Sequence, residues 1–343
     1  MASTAGPSRV VEHTDYRAPW WLPGGHLQTI YARMLARRYT ARYRRERWET
    51  PDGDFIDLDW LDAPSKEARL MVLFHGLEGY SGSHYALSLM SAAAERGWRG
   101  VVPHFRGCSG EANRLARSYH SGDSREIDWV LRRLKTEFPS SEIYVVGVSL
   151  GGNMLLKWLG EEGEAAGTLV ERAVAVSTPL DLAAAAGKLD RGIKKLLYTR
   201  HFLRSLRPRA LAKIVDHDLT IDAAAIRASA TFRQFDDLFT APIHGFKDAQ
   251  DYWTQSSSKP WLKNIKVPTL LINARNDPFL PESALPEPSE VSDAVALEFP
   301  RAGGHVGFVA GKFPGHIDWL PRRVMDFFYS DRSQGTFAAA RIP

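Results

Sequence analysis

The chain has one cysteine among its 343 residues, Cys108. That excludes an intrachain disulfide and any cysteine-clustered zinc or iron–sulfur site, and it favours a reducing compartment. No segment approaches the roughly 18 to 20 uninterrupted apolar residues that span a bilayer. The opening MASTAGPSRV has no long apolar stretch of the kind a secretory leader carries. The expectation is a cytoplasmic protein with no transmembrane anchor. Net charge is small too: 44 Lys and Arg against 40 Asp and Glu leave +4, so the balance does not call for nucleic acid as a partner. Dinucleotide and P-loop patterns are missing, and His75, His84, His104, His120, His244 and His316 are scattered without metal-ligand spacing. No cofactor and no metal are expected.

What is present is core-forming material. A hydrophobic fraction of 44% with 24% charged residues excludes a mostly disordered chain. The length is close to the upper limit for one hydrophobic core, so one large domain with an inserted subdomain is expected.

Residues 1–20 read as a poorly ordered lead-in. From Leu27 through Met34 and Leu35, apolar residues recur at helical spacing, which predicts a helix to about Tyr43. Arg33, Arg37, Arg38, Arg42, Arg44, Arg45 and Arg47 make its polar side basic. The simpler reading of residues 1–50 is a lead-in and a basic amphipathic helix packed on the body. The same pattern also suits peripheral contact with an anionic membrane surface. Next, Phe55 to Trp60 alternates apolar residues with Asp57 and Asp59, as in a strand with one wet face.

Short apolar runs then recur: Arg69–Phe74, Gly100–Pro103, Ile143–Val146, Ala173–Val176 and Thr269–Ile272. Helical segments at Tyr85–Arg96, Ser124–Thr136 and Gly152–Gly160 separate the earlier runs. Strands alternating with helices in this way predict an α/β fold, with a mainly parallel sheet covered on both faces. Residues of about 180–260 break the rhythm and read as a helical insertion within one domain spanning 51–343.

The sharpest local signal is Gly147-Val148-Ser149-Leu150-Gly151, between a strand and a helix. A serine in such a turn sits on a tight bend at the sheet's C-terminal edge, where its hydroxyl is exposed. It needs a base, and the base needs an orienting acid. In open parallel sheets these follow in the order Ser, acid, His. Asp277, just beyond the strand ending at Ile272, and His305, within Gly303-Gly304-His305-Val306-Gly307, both occupy loops after a strand. Asp236, Asp237, Asp248 and Asp251 lack that placement. An acyl-transfer reaction also needs oxyanion donors. The Leu150 amide follows the nucleophile, and Leu77, in His75-Gly76-Leu77-Glu78-Gly79, is the second candidate. The glycine-rich Phe105–Glu111 is expected to shape the rim of the site.

GVSLGGN, HGLEG, FRGCSGE, FDDLFTAP, ARNDPF and GGHVGF, with GGHLQT near the start, together make the chain resemble the YheT-like branch of the α/β-hydrolases, from about residue 20 to about 320. The resemblance implies an α/β-hydrolase fold with a helical cap at about 180–260. It also implies a carboxylesterase-like serine hydrolase with Ser149, Asp277 and His305 as triad and Leu77 and Leu150 as oxyanion donors. Short- to medium-chain acyl esters, small molecules, are the implied substrates. Monoacylglycerol or phospholipid hydrolysis and acyl transfer would use the same triad, and a noncatalytic binding protein is the remaining alternative. Asn276 and Trp253 depart from the family pattern, where an Asp and a Tyr are expected.

Overall fold

The computed structural model describes residues 14–65 and 67–330. Its strands are β1 (Arg44–Glu49), β2 (Phe55–Leu61), β3 (Leu70–Phe74), β4 (Arg99–Pro103), β5 (Ile143–Val148), β6 (Arg172–Val176), β7 (Thr269–Ile272) and β8 (Val295–Glu298). They form one sheet in the order β1-β2-β4-β3-β5-β6-β7-β8. The pairs β1·β2 and β2·β4 are antiparallel, and those from β4 through β3 to β8 are parallel.

Side chains on a strand alternate between faces, and the central strands are apolar on both. On one face Leu70, Val72, Val145 and Ala173 meet helices Ser124–Glu137 and Leu150–Glu162. The first of these helices buries Ile127, Val130, Leu131 and Leu134, the three- and four-residue spacing of an amphipathic stripe. On the other face Met71, Leu73, Val146 and Val174 meet helices His84–Glu95 and Trp319–Tyr329. Each large side chain so buried contributes about 1.5–3 kcal/mol. The parallel arrangement brings the C-terminal ends of β3, β5, β6, β7 and β8 to one edge.

The N-terminal segment corrects the sequence reading. The helix expected to reach Tyr43 ends its α-helical part at Ala32, continues as a 3₁₀ turn over Arg33–Arg38, and gives way to β1. Arg45 and Arg47 therefore lie on an edge strand. The register sets them opposite Asp59 and Asp57, with guanidinium–carboxylate distances of 2.7 Å in both pairs. Opposite charges directly across an antiparallel pair favour the strand over a helix, which would leave these aspartates unmatched. The wet face expected for β2 is also absent: it is buried at every position, flanked by β1 and β4. Residue 50 is thus no boundary, because the sheet already begins at Arg44. Residues 1–13 of the expected lead-in lie outside the described residues. From Thr14 the chain is packed, with Tyr16 buried between Phe308 and Trp319 and donating to the Val309 carbonyl.

Between β6 and β7 runs a series of helices from Leu182 to Ser256. Asp181, Asp222, Thr231 and Asp248 start four of them by accepting backbone N–H bonds, the role these short polar side chains fill best. Leu203, Ala210, Ile214, Ile226, Phe235 and Phe239 form a small core of the insertion itself. Two π-helical turns interrupt it, Lys195–Thr199 and Asp236–Thr240.

Candidate active site

Ser149 is the hinge between β5 and the helix Leu150–Glu162, and its φ of 53° and ψ of −119° are unusual for a residue with a Cβ. Such a conformation costs on the order of 1–3 kcal/mol and persists only where its surroundings enforce it. Here the Ser149 amide donates to the Val176 carbonyl at 2.8 Å and the Gly151 amide to the His75 carbonyl at 3.1 Å. Glycine is required on both sides. A Cβ on Gly147 would lie 2.7 Å from the Gly151 carbonyl oxygen, and one on Gly151 would lie 2.4 Å from that of Phe74.

The fold brings Asp277 and His305 to this serine. His305 Nε2 is 3.0 Å from Ser149 Oγ, and His305 Nδ1 is 2.9 Å from Asp277 Oδ2. The other Asp277 oxygen accepts the Phe279 amide at 2.7 Å. The Phe279 ring lies flat on the imidazole, centroids 3.8 Å apart and planes at 10°, so the imidazole has little room to rotate. Asp237 and Asp248 accept backbone amides in the insertion, and Asp251 bonds Lys247 and Gln255.

Four consecutive amides of the histidine loop each meet a side-chain acceptor. Gly303 donates to Gln28 Oε1 at 2.9 Å, Gly304 to Asn276 Oδ1 at 2.9 Å, His305 to Thr29 Oγ1 at 2.8 Å and Val306 to Ser177 Oγ at 3.0 Å. His84 Nε2 donates to the Val306 carbonyl at 2.9 Å; burial lowers the pKa of His84 to about 4, so it is neutral. This clamp also explains Asn276. Its Nδ2 donates to Gln28 Oε1 at 3.1 Å, where an aspartate would set acceptor against acceptor. Gly25 makes the approach feasible, since a Cβ there would lie 2.0 Å from the Asn276 carbonyl oxygen. GGHLQT is thus a structural partner of the His305 loop, a role invisible in sequence because it depends on contacts across most of the chain.

Leu77 and Leu150 both line the cavity beside Ser149, and their amides have no acceptor among the described residues. Glu78, at φ 56°, shapes the Leu77 turn. Its amide and its carboxylate both bond the Tyr119 hydroxyl, and the carboxylate is 2.8 Å from Arg209 of the insertion. The glycine-rich Phe105–Glu111 does not line the cavity, which corrects the expectation that it shapes the rim. Arg106 anchors it through buried pairs with Asp54 and Glu126, and the Phe105 amide donates to His75 Nε2. It braces the scaffold behind the site.

The cavity holds about 700 Å³, a volume suited to a small organic ligand. Leu197, Tyr198, Phe202 and Phe232 of the insertion reach it, whereas Leu203, Phe235 and Phe239 fill the insertion's own core. Both π-helical turns contribute to the lining, through Tyr198 and Asp236. Asp236 accepts from Trp253 Nε1 and Thr240 Oγ1, and burial pushes its carboxyl up to about 7. The Trp253 departure therefore supplies an indole N–H to this acid. Among the described residues no three His, Cys, Asp or Glu side chains come together as a metal site. No helix among them is long and apolar enough to cross a membrane.

Sheet order, a serine at the strand–helix bend after β5, and an acid and a histidine from the loops after β7 and β8 define the α/β-hydrolase class. Residues 69–312 match the family described as alpha/beta hydrolase fold, and the chain belongs to that family as a YheT-like hydrolase. It is 42% identical over 306 residues to "Putative esterase YheT" of Escherichia coli (strain K12), covering 88% of this chain and 89% of that protein. It is 30% identical to the phospholipase ABHD3 of Homo sapiens, covering 93% of this chain and 79% of that one. Among solved structures, the Pyrococcus furiosus esterase Pf2001 shares the fold at a TM-score of 0.55 and 17% identity, over 84% of this chain and 92% of that one.

Proposed function

We propose that the protein is a serine carboxylic-ester hydrolase for short- to medium-chain acyl esters, working through an acyl-enzyme. The reading rests on the chain of contacts from Ser149 Oγ through His305 to Asp277, at 3.0 and 2.9 Å. His305 Nε2 takes the hydroxyl proton as Ser149 Oγ attacks the ester carbonyl, and Asp277 keeps Nδ1 protonated so that Nε2 is the acceptor. The negative charge on the tetrahedral oxygen is met by the Leu77 and Leu150 amides and by the positive end of the helix that starts at Leu150. His305 returns the proton to the leaving alcohol. Water then enters by the same route in reverse and frees the acid.

The insertion serves as a cap over the acyl chain, with Leu197, Phe202 and Phe232 along the cavity wall. The names of the relatives, an esterase and a phospholipase, support ester-bond chemistry. The test is kcat/KM on p-nitrophenyl esters of rising chain length, below their micellar concentrations. The expected profile rises from C2 to a medium chain by up to roughly fourfold per methylene. Phe202→Ala should flatten that rise. A profile falling steadily from C2 and untouched by Phe202→Ala or Phe232→Ala would refute the chain-length part of the reading.

A further inference from the structure

Large apolar side chains are mostly buried in this molecule, but two helical faces at the cavity mouth expose them. On the segment Gly25–Arg38, Leu27, Ile30 and Met34 are 52%, 45% and 68% exposed. On the turns around Gly192–Thr199, Ile193, Leu196 and Leu197 are 61%, 64% and 40% exposed. Leu27, Ile30 and Met34 fall on one side of their segment at spacings of three, four and seven, and Ile193 lies three and four residues before the adjacent Leu196 and Leu197. The two segments touch: His26 Nδ1 is 2.9 Å from the Tyr198 hydroxyl, and the two rings stack. Ile30 and Arg33 from one, and Leu197 and Tyr198 from the other, line the same cavity as Ser149.

Several cations around these faces are unpaired. Arg209 is paired with Glu78, but Arg33, Lys194, Arg200 and Arg204 have no carboxylate partner among the described residues. Arg33 and Arg204, from different elements, both bear on His201, whose pKa is lowered by burial and by those two charges. Apolar stripes set among unpaired cations are the pattern of a surface that enters the headgroup region of an anionic membrane. Arg45 and Arg47 are no part of it, because Asp59 and Asp57 engage them.

We propose that this face docks on an anionic phospholipid bilayer, with Leu27, Met34, Ile193 and Leu196 entering the headgroup boundary and Arg33, Lys194, Arg200 and Arg204 meeting the phosphates. The docked face turns the cavity mouth toward the lipid. The proposal goes beyond ester hydrolysis and does not depend on it, since binding is measured without turnover.

The experiment is cosedimentation of the full chain, and of its Ser149→Ala form, with phosphatidylglycerol or phosphatidylcholine vesicles. Both forms should bind phosphatidylglycerol at least roughly tenfold more tightly than phosphatidylcholine, and about 0.5 M salt should weaken that binding. Met34→Glu with Leu196→Glu should weaken it at least roughly tenfold. Lys194→Gln with Arg204→Gln should weaken it by about fivefold per cation. Hydrolysis of soluble p-nitrophenyl acetate and the thermal melt should not move in either double variant, as none of these side chains lines the cavity. Failure to bind phosphatidylglycerol, or binding indifferent to both double variants, would overturn the proposal. So would a dimer in sedimentation velocity that Met34→Glu with Leu196→Glu dissolves while vesicles stay unbound, because the face would then serve a second copy.

Discussion

Ser149 is held by residues adjacent in the chain or on neighbouring strands, whereas His305 is held by groups as distant as Thr29, 276 positions away. The serine's bend follows from Gly147 and Gly151, which let the strand turn sharply into a helix. The histidine loop contains three glycines of its own, and three of its four bonded amides meet Gln28, Thr29 and Ser177, well outside the C-terminal part of the chain. One half of the site is therefore written locally. The other exists only once the N-terminal segment has packed across the C-terminal loops, so its geometry is the more exposed to remote substitution.

The largest expected effect falls on the acid that joins the two halves. Asp277→Asn should lower kcat by roughly 10⁴, the scale seen for the same change in serine proteases, because the amide favours the wrong imidazole tautomer. Asp237→Asn and Asp248→Asn, whose carboxylates serve the insertion, should stay near wild type. A larger loss at either one, measured on the same ester, would move the orienting acid away from the His305 loop.

Thr29→Val sharpens the contrast directly. It keeps the shape but removes the hydroxyl that accepts the His305 amide and donates to the Gly25 carbonyl. A roughly tenfold fall in kcat with KM nearly constant is expected, since this hydroxyl's two bonds tie the His305 loop to the N-terminal helix. A KM effect with kcat intact would mean that the clamp serves binding instead of placing the base.

The smallest effect is one of stability. Burial raises the Asp236 carboxyl to about 7, against an unfolded value of about 4. Between those two pH values the folded chain holds a proton that the unfolded chain has lost, so this group's contribution to stability falls as pH rises through the window. Asp236→Asn removes that slope. The melting temperature of the variant relative to wild type should therefore gain a few degrees between pH 5 and pH 8. A difference that is flat with pH would show that Asp236 is ionised in the folded protein.

The same contrast governs what the sequence discloses. β3, β5, β6 and β7 are legible as apolar runs because both faces of a parallel sheet are covered, and the serine bend is legible because its glycines are contiguous. Asp277 and His305 stand out by their place after strands. β1 is not legible: Arg-Arg-Glu-Arg-Trp-Glu has no apolar alternation, and its strand character comes from Asp57 and Asp59 across the pair. The Gln28–Asn276–Gly303 clamp is hidden for the same reason. The insertion's aromatics divide between its own core and the cavity in a way that composition alone does not encode.

The most direct test of the account is labelling with a fluorophosphonate followed by peptide mass mapping, because that reagent captures a serine activated by a base and needs no knowledge of the substrate. The account predicts a single adduct on Ser149. It should be absent in Ser149→Ala, slowed by orders of magnitude in His305→Ala, and slowed roughly tenfold in Thr29→Val. An adduct on another serine, or labelling of Ser149 at the wild-type rate in His305→Ala, would contradict it.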